Sequence, residues 1–323
     1  MAFNKDILRI DPEREAERIN AFIQKQVASM KKDGAVIGLS GGIDSSICSC
    51  LCLKALGRSK VLGLILPEKE SNPVSEQYAR KHASAIGLDT VTDNITSTLE
   101  GFGTYRRRDQ AIKEIFPEYS ETYQSNVTLP ADLLTKDTFN FFTLNIKDDQ
   151  GNTKTARLNN RSARSILAAA NSKQITRMMF LNYYAEKNNY LVCGTTNRSE
   201  YVQGFFVKYG DGGVDIEPIA HLYKTQVYQL GAYLDIVPEI MSRAPSPDTF
   251  SFPVTDQEMH FRLPFDVLDL LLYAWENEIP LAGVSEAMGL PEDQVKRAFR
   301  DISSKHLATN YLRLPAQSLM PKK

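Results

Sequence analysis

Apolar residues fall at helical spacing near the start of the chain. Ala16, Ile19, Phe22, Ile23, Val27 and Met30 share one face between about 12 and 32, which predicts an amphipathic helix. The period then changes. Ala35, Val36 and Ile37 are consecutive and β-branched or small, as in a strand buried on both faces. Ile47, Leu51, Leu53 and Leu56 return to helical spacing. Val61 to Leu66 is a second buried-type strand, ended by Pro67. Ser75 to Ile86 predicts a helix closed by Gly87. Thr90 to Ile95 predicts a third strand, and a helix follows to about 116. Strands alternating with helices predict a parallel sheet with right-handed crossovers.

Residues at about 117–160 interrupt the alternation. Thr138 to Ile146 partly alternates, Asp148-Asp149-Gln150-Gly151-Asn152 is a turn signal, and Thr153 to Leu158 returns as a partner strand. This reads as an inserted β-hairpin. Helix resumes at about 161, with Ala163, Ile166, Leu167, Ile175, Met178, Met179 and Leu181. Tyr190 to Gly194 is a short buried strand, and another helix spans about 223–234. Beyond about 243 the prolines 245, 247 and 253 make a loop-rich passage, and helices are predicted at about 264–277, 281–288 and 292–308. The expected fold is α/β: a doubly wound parallel sheet with helices on both faces, an inserted β-hairpin and a helical C-terminal tail. Residues 1–250 form the α/β domain, with the insertion at about 117–160, and residues 251–323 the helical extension.

Composition adds exclusions. With 323 residues, 42% of them hydrophobic, and a net charge of −1, the chain has material for a substantial core and no basic footprint for nucleic acid. Arg106-Arg107-Arg108 is the one dense basic run, and such a run reads as a solvated face or an anion clamp. Cys48, Cys50, Cys52 and Cys193 lie in apolar surroundings and read as core. No apolar stretch of signal-peptide or membrane-spanning length is present, so a cytoplasmic setting without membrane is expected.

Candidate chemistry begins where the first strand ends. Gly38-Leu39-Ser40-Gly41-Gly42-Ile43-Asp44-Ser45-Ser46 sits between strand and helix. A Gly-Gly turn there aims backbone N–H groups at one point with the positive helix end behind them, a natural phosphate cradle. Asp44 would repel phosphate unless a cation lay between, so it reads as a Mg²⁺ ligand. No Lys follows the glycines, which sets the loop apart from the G-x-x-x-x-G-K-[ST] pattern. Ser-Gly-Gly-x-Asp-Ser resembles instead the loop of the ATP pyrophosphatase families, which implies cleavage of ATP to AMP and pyrophosphate.

A second constellation follows the strand at 190–194: Gly194-Thr195-Thr196-Asn197-Arg198-Ser199-Glu200, then Lys208-Tyr209-Gly210-Asp211-Gly212-Gly213-Val214-Asp215, then Leu222-Tyr223-Lys224-Thr225. Carboxylates for Mg²⁺ and ammonium groups for a leaving pyrophosphate stand together in it. With this run the chain resembles NAD synthetase over roughly 14–115 and 165–250. The resemblance implies adenylation of a nicotinate carboxylate by ATP and its amidation by free ammonia, since the extra hydrolase domain of glutamine-using members is missing. It also implies a homodimer. Carried onto matching positions, it implies that Gly38 to Ser46 cradle the ATP phosphates and that Asp44 and Glu200 hold Mg²⁺. Arg177, Thr195, Lys224 and Ser246 would touch ATP. Lys208, Asp211 and Asp215 would serve the deamidated dinucleotide (deamido-NAD), and Asp44, Lys208 and Lys224 would be the catalytic groups.

One departure bears on the acid substrate. In the family's Asn-x-x-Ala-Arg-x-Arg-Met stretch the second Arg is Arg177, but the first is Ile175. An aliphatic side chain cannot replace a guanidinium fork. Lys173 is the nearest cation, two residues earlier on another helix face. The alternative is therefore a related ligase that adenylates and amidates a different carboxylate. Lys305, His306 and Arg313, the only basic residues near the C-terminal cluster the family carries, read as a solvated helix end.

Overall fold

The computed structural model describes residues 3–131, 133–136 and 140–319. Asp11 caps helix α1 (Pro12–Ser29), its side chain accepting the Arg14 N–H at 3.2 Å. Strand β1 (Gly34–Gly38) leads into α2 (Ile43–Leu56), and β2 (Val61–Ile65) into α3 (Pro73–Ile86). After β3 (Thr90–Thr92), the helix expected to reach 116 is two helices, α4 (Thr96–Phe102) and α5 (Thr104–Lys113). They part at Gly103, whose φ of +79° ends the first.

The insertion is a three-stranded antiparallel sheet, β4 (Gln124–Thr128), β5 (Thr143–Lys147) and β6 (Thr153–Arg157), not a lone hairpin. The expected hairpin is its β5–β6 pair; Thr138 and Phe139, placed in that hairpin, lie outside the described residues. Strand β4 escaped a reading based on alternation because its buried positions include Ser125 and Asn126. They are buried with partners: Asn145 Nδ2 donates to Asn126 Oδ1 at 2.8 Å, and Asn126 Nδ2 to the Pro253 carbonyl at 3.1 Å.

Helix α6 (Asn160–Asn188) then runs 29 residues to β7 (Tyr190–Cys193). Short α7 (Arg198–Gln203), α8 (Lys224–Tyr233) and α9 (Pro238–Met241) follow. The C-terminal helices α10 (Phe265–Glu276), α11 (Leu281–Met288) and α12 (Glu292–Ala308) pack around Leu268, Leu271, Val284, Val295 and Ile302, and the short α13 (Asn310–Arg313) follows α12.

The main sheet is parallel, in the order β3-β2-β1-β7. Alternate residues of each strand serve opposite faces. Ala35, Ile37, Leu191 and Cys193 join α1, α2, α3 and α8 in one core. Val36, Leu64 and Val192 join Leu99, Met178 and Leu181 of α4 and α6 in the other. Helix α2 is buried nearly all round, including Cys48, Cys50 and Cys52. The order also fixes where a ligand belongs. From β1 the chain moves to β2 and β3 on one side, then returns to place β7 on the other. The carboxyl ends of β1 and β7 flank the topological switch point, the crevice where open α/β sheets bind ligands.

Candidate active site

The loop leaving β1 owes its shape to Gly41. Its φ is +72°, and a Cβ there would lie 2.2 Å from the Ser75 carbonyl oxygen of α3. Gly42 caps α2. The Ser45 and Ser46 hydroxyls donate to the Gly42 carbonyl at 3.1 and 2.9 Å, and Ser45 Oγ accepts the Ser40 N–H at 3.3 Å. Ser45 and Ser46 thus brace the loop from within, while Ser40 is exposed. Gly38, Leu39 and Ile43 link strand, turn and helix, with Leu39 and Ile43 in the core below.

Asp44 stands in the first turn of α2, at the mouth of the crevice. Across from it, after β7, Asn197 caps α7 in a capping box: its side chain accepts the Glu200 N–H, and Glu200 Oε2 accepts the Asn197 N–H at 3.2 Å. Asn197 Nδ2 also reaches over to donate to Asp44 Oδ1 at 3.0 Å. The free oxygens of both acids meet the ammonium of Lys224, the first residue of α8. Lys224 pairs with Asp44 Oδ2 and stands 3.5 Å from Glu200 Oε1. Two acids 156 positions apart in sequence thus face one buried cation.

The electrostatics follow from that crowding. Burial pushes the Glu200 carboxyl well up, and Asp44 adds to the shift while Lys224 opposes it. Burial alone would lower Lys224; Asp44, then Glu200 and Asp256, reverse this and hold its ammonium well above its ordinary value. Asp256, which precedes the single π turn at Gln257–Phe261, feels the same charges. Burial raises it to about 7, and its Oδ1 is buried without a hydrogen-bond partner.

The other expected residues lie outside that group. Thr195 follows β7 directly; beside it, the Thr196 N–H donates to Glu217 Oε2 at 3.1 Å, and burial raises Glu217 to about 8. Arg177 lies on α6 under the exit of β2, its Nε donating to the Leu66 carbonyl at 3.2 Å. Ser246 is exposed in the proline-rich loop. Asp211 shapes the loop after α7, accepting the Val207 N–H at 2.9 Å, and burial raises it to about 6. Lys208 and Asp215 share no hydrogen bond or ion pair with the Asp44–Glu200–Lys224 group. Lys208 Nζ donates to the Tyr311 and Leu314 carbonyls at 3.0 and 2.7 Å, and Asp215 Oδ2 accepts the Val192 N–H at 2.7 Å.

Three basic residues are placed otherwise than their sequence suggested. Arg108 is buried, donating to Glu70 at 2.6 Å, so the arginine run is not one solvated face. Lys305 is buried on Asp301 at 2.7 Å, not at a solvated helix end. Lys173 is buried too, committed to Glu68 and Glu70 at 2.7 Å each, so it is not a substitute for the guanidinium missing at Ile175. Asn197, Glu217 and Asp256 were not picked out as site residues. The Asn-x-x-Glu spacing of the capping box was the available signal for Asn197; for Asp256 it was the Thr255-Asp256 pair after the proline-rich loop, where the family carries Thr-Asp-Glu; Glu217 has no local signature.

Comparison with known proteins gives a consistent result. The family model described as NAD synthase matches residues 15–122 and 106–308. The NH(3)-dependent NAD(+) synthetase of Rhizobium meliloti (strain 1021) is 42% identical over 321 residues, 99% of this chain and 96% of that protein. The protein of the same name from Thermotoga maritima is 35% identical over 270 residues, 82% of this chain and 88% of that one. The fold is like that of the solved NH3-dependent NAD synthetase from Campylobacter jejuni (TM-score 0.63, 23% identity, covering 96% of this chain and 100% of that one).

Proposed function

The chain belongs to the NAD synthase family, and from that premise we propose that it amidates nicotinic acid adenine dinucleotide to NAD with free ammonia, converting ATP to AMP and pyrophosphate. The observation that carries the reading is the meeting of Asp44, Glu200 and Lys224 at the switch point, beside a glycine turn able to seat phosphates. A free carboxylate is a poor electrophile. Attack of a carboxylate oxygen on the α-phosphorus of ATP expels pyrophosphate and leaves an acyl adenylate. Ammonia then attacks the acyl carbon and loses a proton, and AMP departs with the oxygen.

Gly38 to Ser46 would seat the phosphate chain on backbone N–H groups at the α2 N-terminus. Lys224 would offer its ammonium to the departing pyrophosphate. Arg177, Thr195 and Ser246 would line the adenosine side, and Lys208, Asp211 and Asp215 the dinucleotide side. Two acids with oxygens turned to one point, and the unpartnered Asp256 oxygen nearby, suit Mg²⁺, which commonly takes one or two carboxylates and completes its shell with substrate phosphate and water. Asp44 and Glu200 would hold it, and it would neutralise phosphate charge as the Pα–O bond breaks. Asn197 fixes both acids from behind.

A homodimer is part of the same reading. It is supported by an apolar stripe on α6, where Ile175, Met179 and Tyr183 recur every four residues at 46, 53 and 60% exposure. A cytoplasmic location goes with it. The test is incubation with Mg-ATP, ammonium and nicotinic acid adenine dinucleotide. Equal yields of NAD and AMP are expected; AMP formed from a different acid, with no NAD, would refute the assignment of substrate.

A further inference from the structure

Lys173 is the meeting point of three segments at the nucleotide side of the sheet. Its side chain is 2% exposed, and its ammonium has one acceptor for each hydrogen: Glu68 Oε1 at 2.7 Å, Glu70 Oε2 at 2.7 Å and the Thr249 carbonyl at 3.0 Å. The two acids belong to the loop leaving β2. They are themselves fixed, since Glu68 Oε2 accepts the Tyr105 hydroxyl at 2.7 Å and the Glu70 N–H at 2.9 Å, and Glu70 also binds Arg108. Thr249 belongs to the proline-rich loop that carries Ser246. One turn along α6 from Lys173, Arg177 holds the same β2 loop through the Leu66 carbonyl and Ser71 Oγ, at 3.2 and 3.4 Å. A second tie joins the two loops at the surface, where the Asn72 N–H donates to Asp248 Oδ1 at 2.9 Å.

We propose that Lys173 is a positioning residue for ATP: its ammonium sets the Ser246 loop and the β2 exit loop at a fixed separation across Arg177, so that the nucleotide meets a preformed wall. The inference rests on the assignment of Arg177 and Ser246 to ATP. A buried ion pair is a poor source of net stability, because desolvation consumes most of its attraction. What this one supplies is geometry. Its third acceptor is a backbone carbonyl, which an apolar core residue could cover but not hold in register. A binding site whose walls are ordered beforehand avoids the cost of ordering them at each encounter. Ile175, two positions on, points away into exposure, so Lys173 acts inward on the nucleotide side and not outward on the acid substrate.

The test compares Lys173→Met and Asp248→Gly with the parent chain. It reads the Kd of a non-hydrolysable ATP analogue by calorimetry, the KM for ATP and for the dinucleotide, and the thermal midpoint. Lys173→Met is expected to raise the Kd and the KM for ATP about tenfold while the dinucleotide KM moves within about twofold, a selectivity that general loosening would not give. A folded Lys173→Met protein with unchanged analogue affinity overturns the proposal. Should that variant fail to fold, Asp248→Gly decides, because it removes the surface tie and suits the left-handed backbone at that position (φ +47°). A rise of about threefold in analogue Kd supports the preformed wall and no rise overturns it. Failure of the underlying ATP assignment is separately visible: Arg177→Ala and Ser246→Ala would then leave analogue affinity unchanged.

Discussion

Replacing Lys224 by methionine removes the only cation paired with Asp44 and Glu200 in the described residues and keeps most of the side-chain volume. The lysine side chain is 1% exposed, against 18% for Asp44 and 15% for Glu200. The substitution therefore leaves two carboxylates facing each other with little water to relieve them. Removing one partner of a buried pair costs about 3–5 kcal/mol, a large part of the ~5–15 kcal/mol that holds a typical protein folded. The loss should depend on pH. Burial raises the Glu200 carboxyl, and once protonated it no longer needs a counter-charge. The cost should therefore shrink as pH falls and Glu200 takes up its proton. Urea unfolding of the parent chain, Lys224→Met, Asp44→Asn and the double variant measures both effects, and the double-mutant cycle isolates the pair. A loss below about 1 kcal/mol, or one that does not shrink as pH falls, would refute the view that Lys224 is the counter-charge of these two half-buried acids.

Gly41→Ala should cost ~1–2 kcal/mol from the left-handed backbone alone, and more from the contact with the Ser75 carbonyl; a lowered melting temperature together with loss of ATP-analogue binding is expected, and an unchanged melting temperature would refute the strain. Burial raises Glu217 to about 8, so its proton is held more tightly folded than unfolded. That contribution is present at low pH and is lost as pH rises from about 4 through about 8, so Glu217 should take up to ~1.4 kcal/mol per pH unit from the unfolding free energy in that range, and Glu217→Gln should make the fall of the thermal midpoint with pH shallower. Ile175→Arg should tighten binding of nicotinic acid adenine dinucleotide by ~1.5–3 kcal/mol if a charged contact is regained; an unchanged KM would show that position to be irrelevant to the substrate.

Much of the fold was legible in sequence because its signals are local. The Gly-Gly turn, the apolar strands and the cap at Gly87 each act within a few residues, and the structure has them where the pattern indicated. The β4 strand was illegible because buried Asn126 and the Ser125 N–H are satisfied by Asn145, Pro253 and Ser251, 19 to 127 positions away. The same division runs through the site. Asp44 and Glu200 could be named from motifs, and Lys224 from its Leu-Tyr-Lys run. The bond from Asn197 to Asp44 spans 153 positions and exists only because β7 lies beside β1. In sequence Lys173 is only the cation nearest Ile175; its acceptors lie 76 to 105 positions away, and only the fold gathers them.

The most direct measurement is a crystal structure of the protein soaked with Mn²⁺ and a non-hydrolysable ATP analogue, read by anomalous scattering. The prediction is a manganese peak bonded to carboxylate oxygens of both Asp44 and Glu200 and to a phosphate oxygen seated on the Gly41-Gly42 turn. A manganese site touching neither acid, or a triphosphate lodged away from that turn, would contradict it.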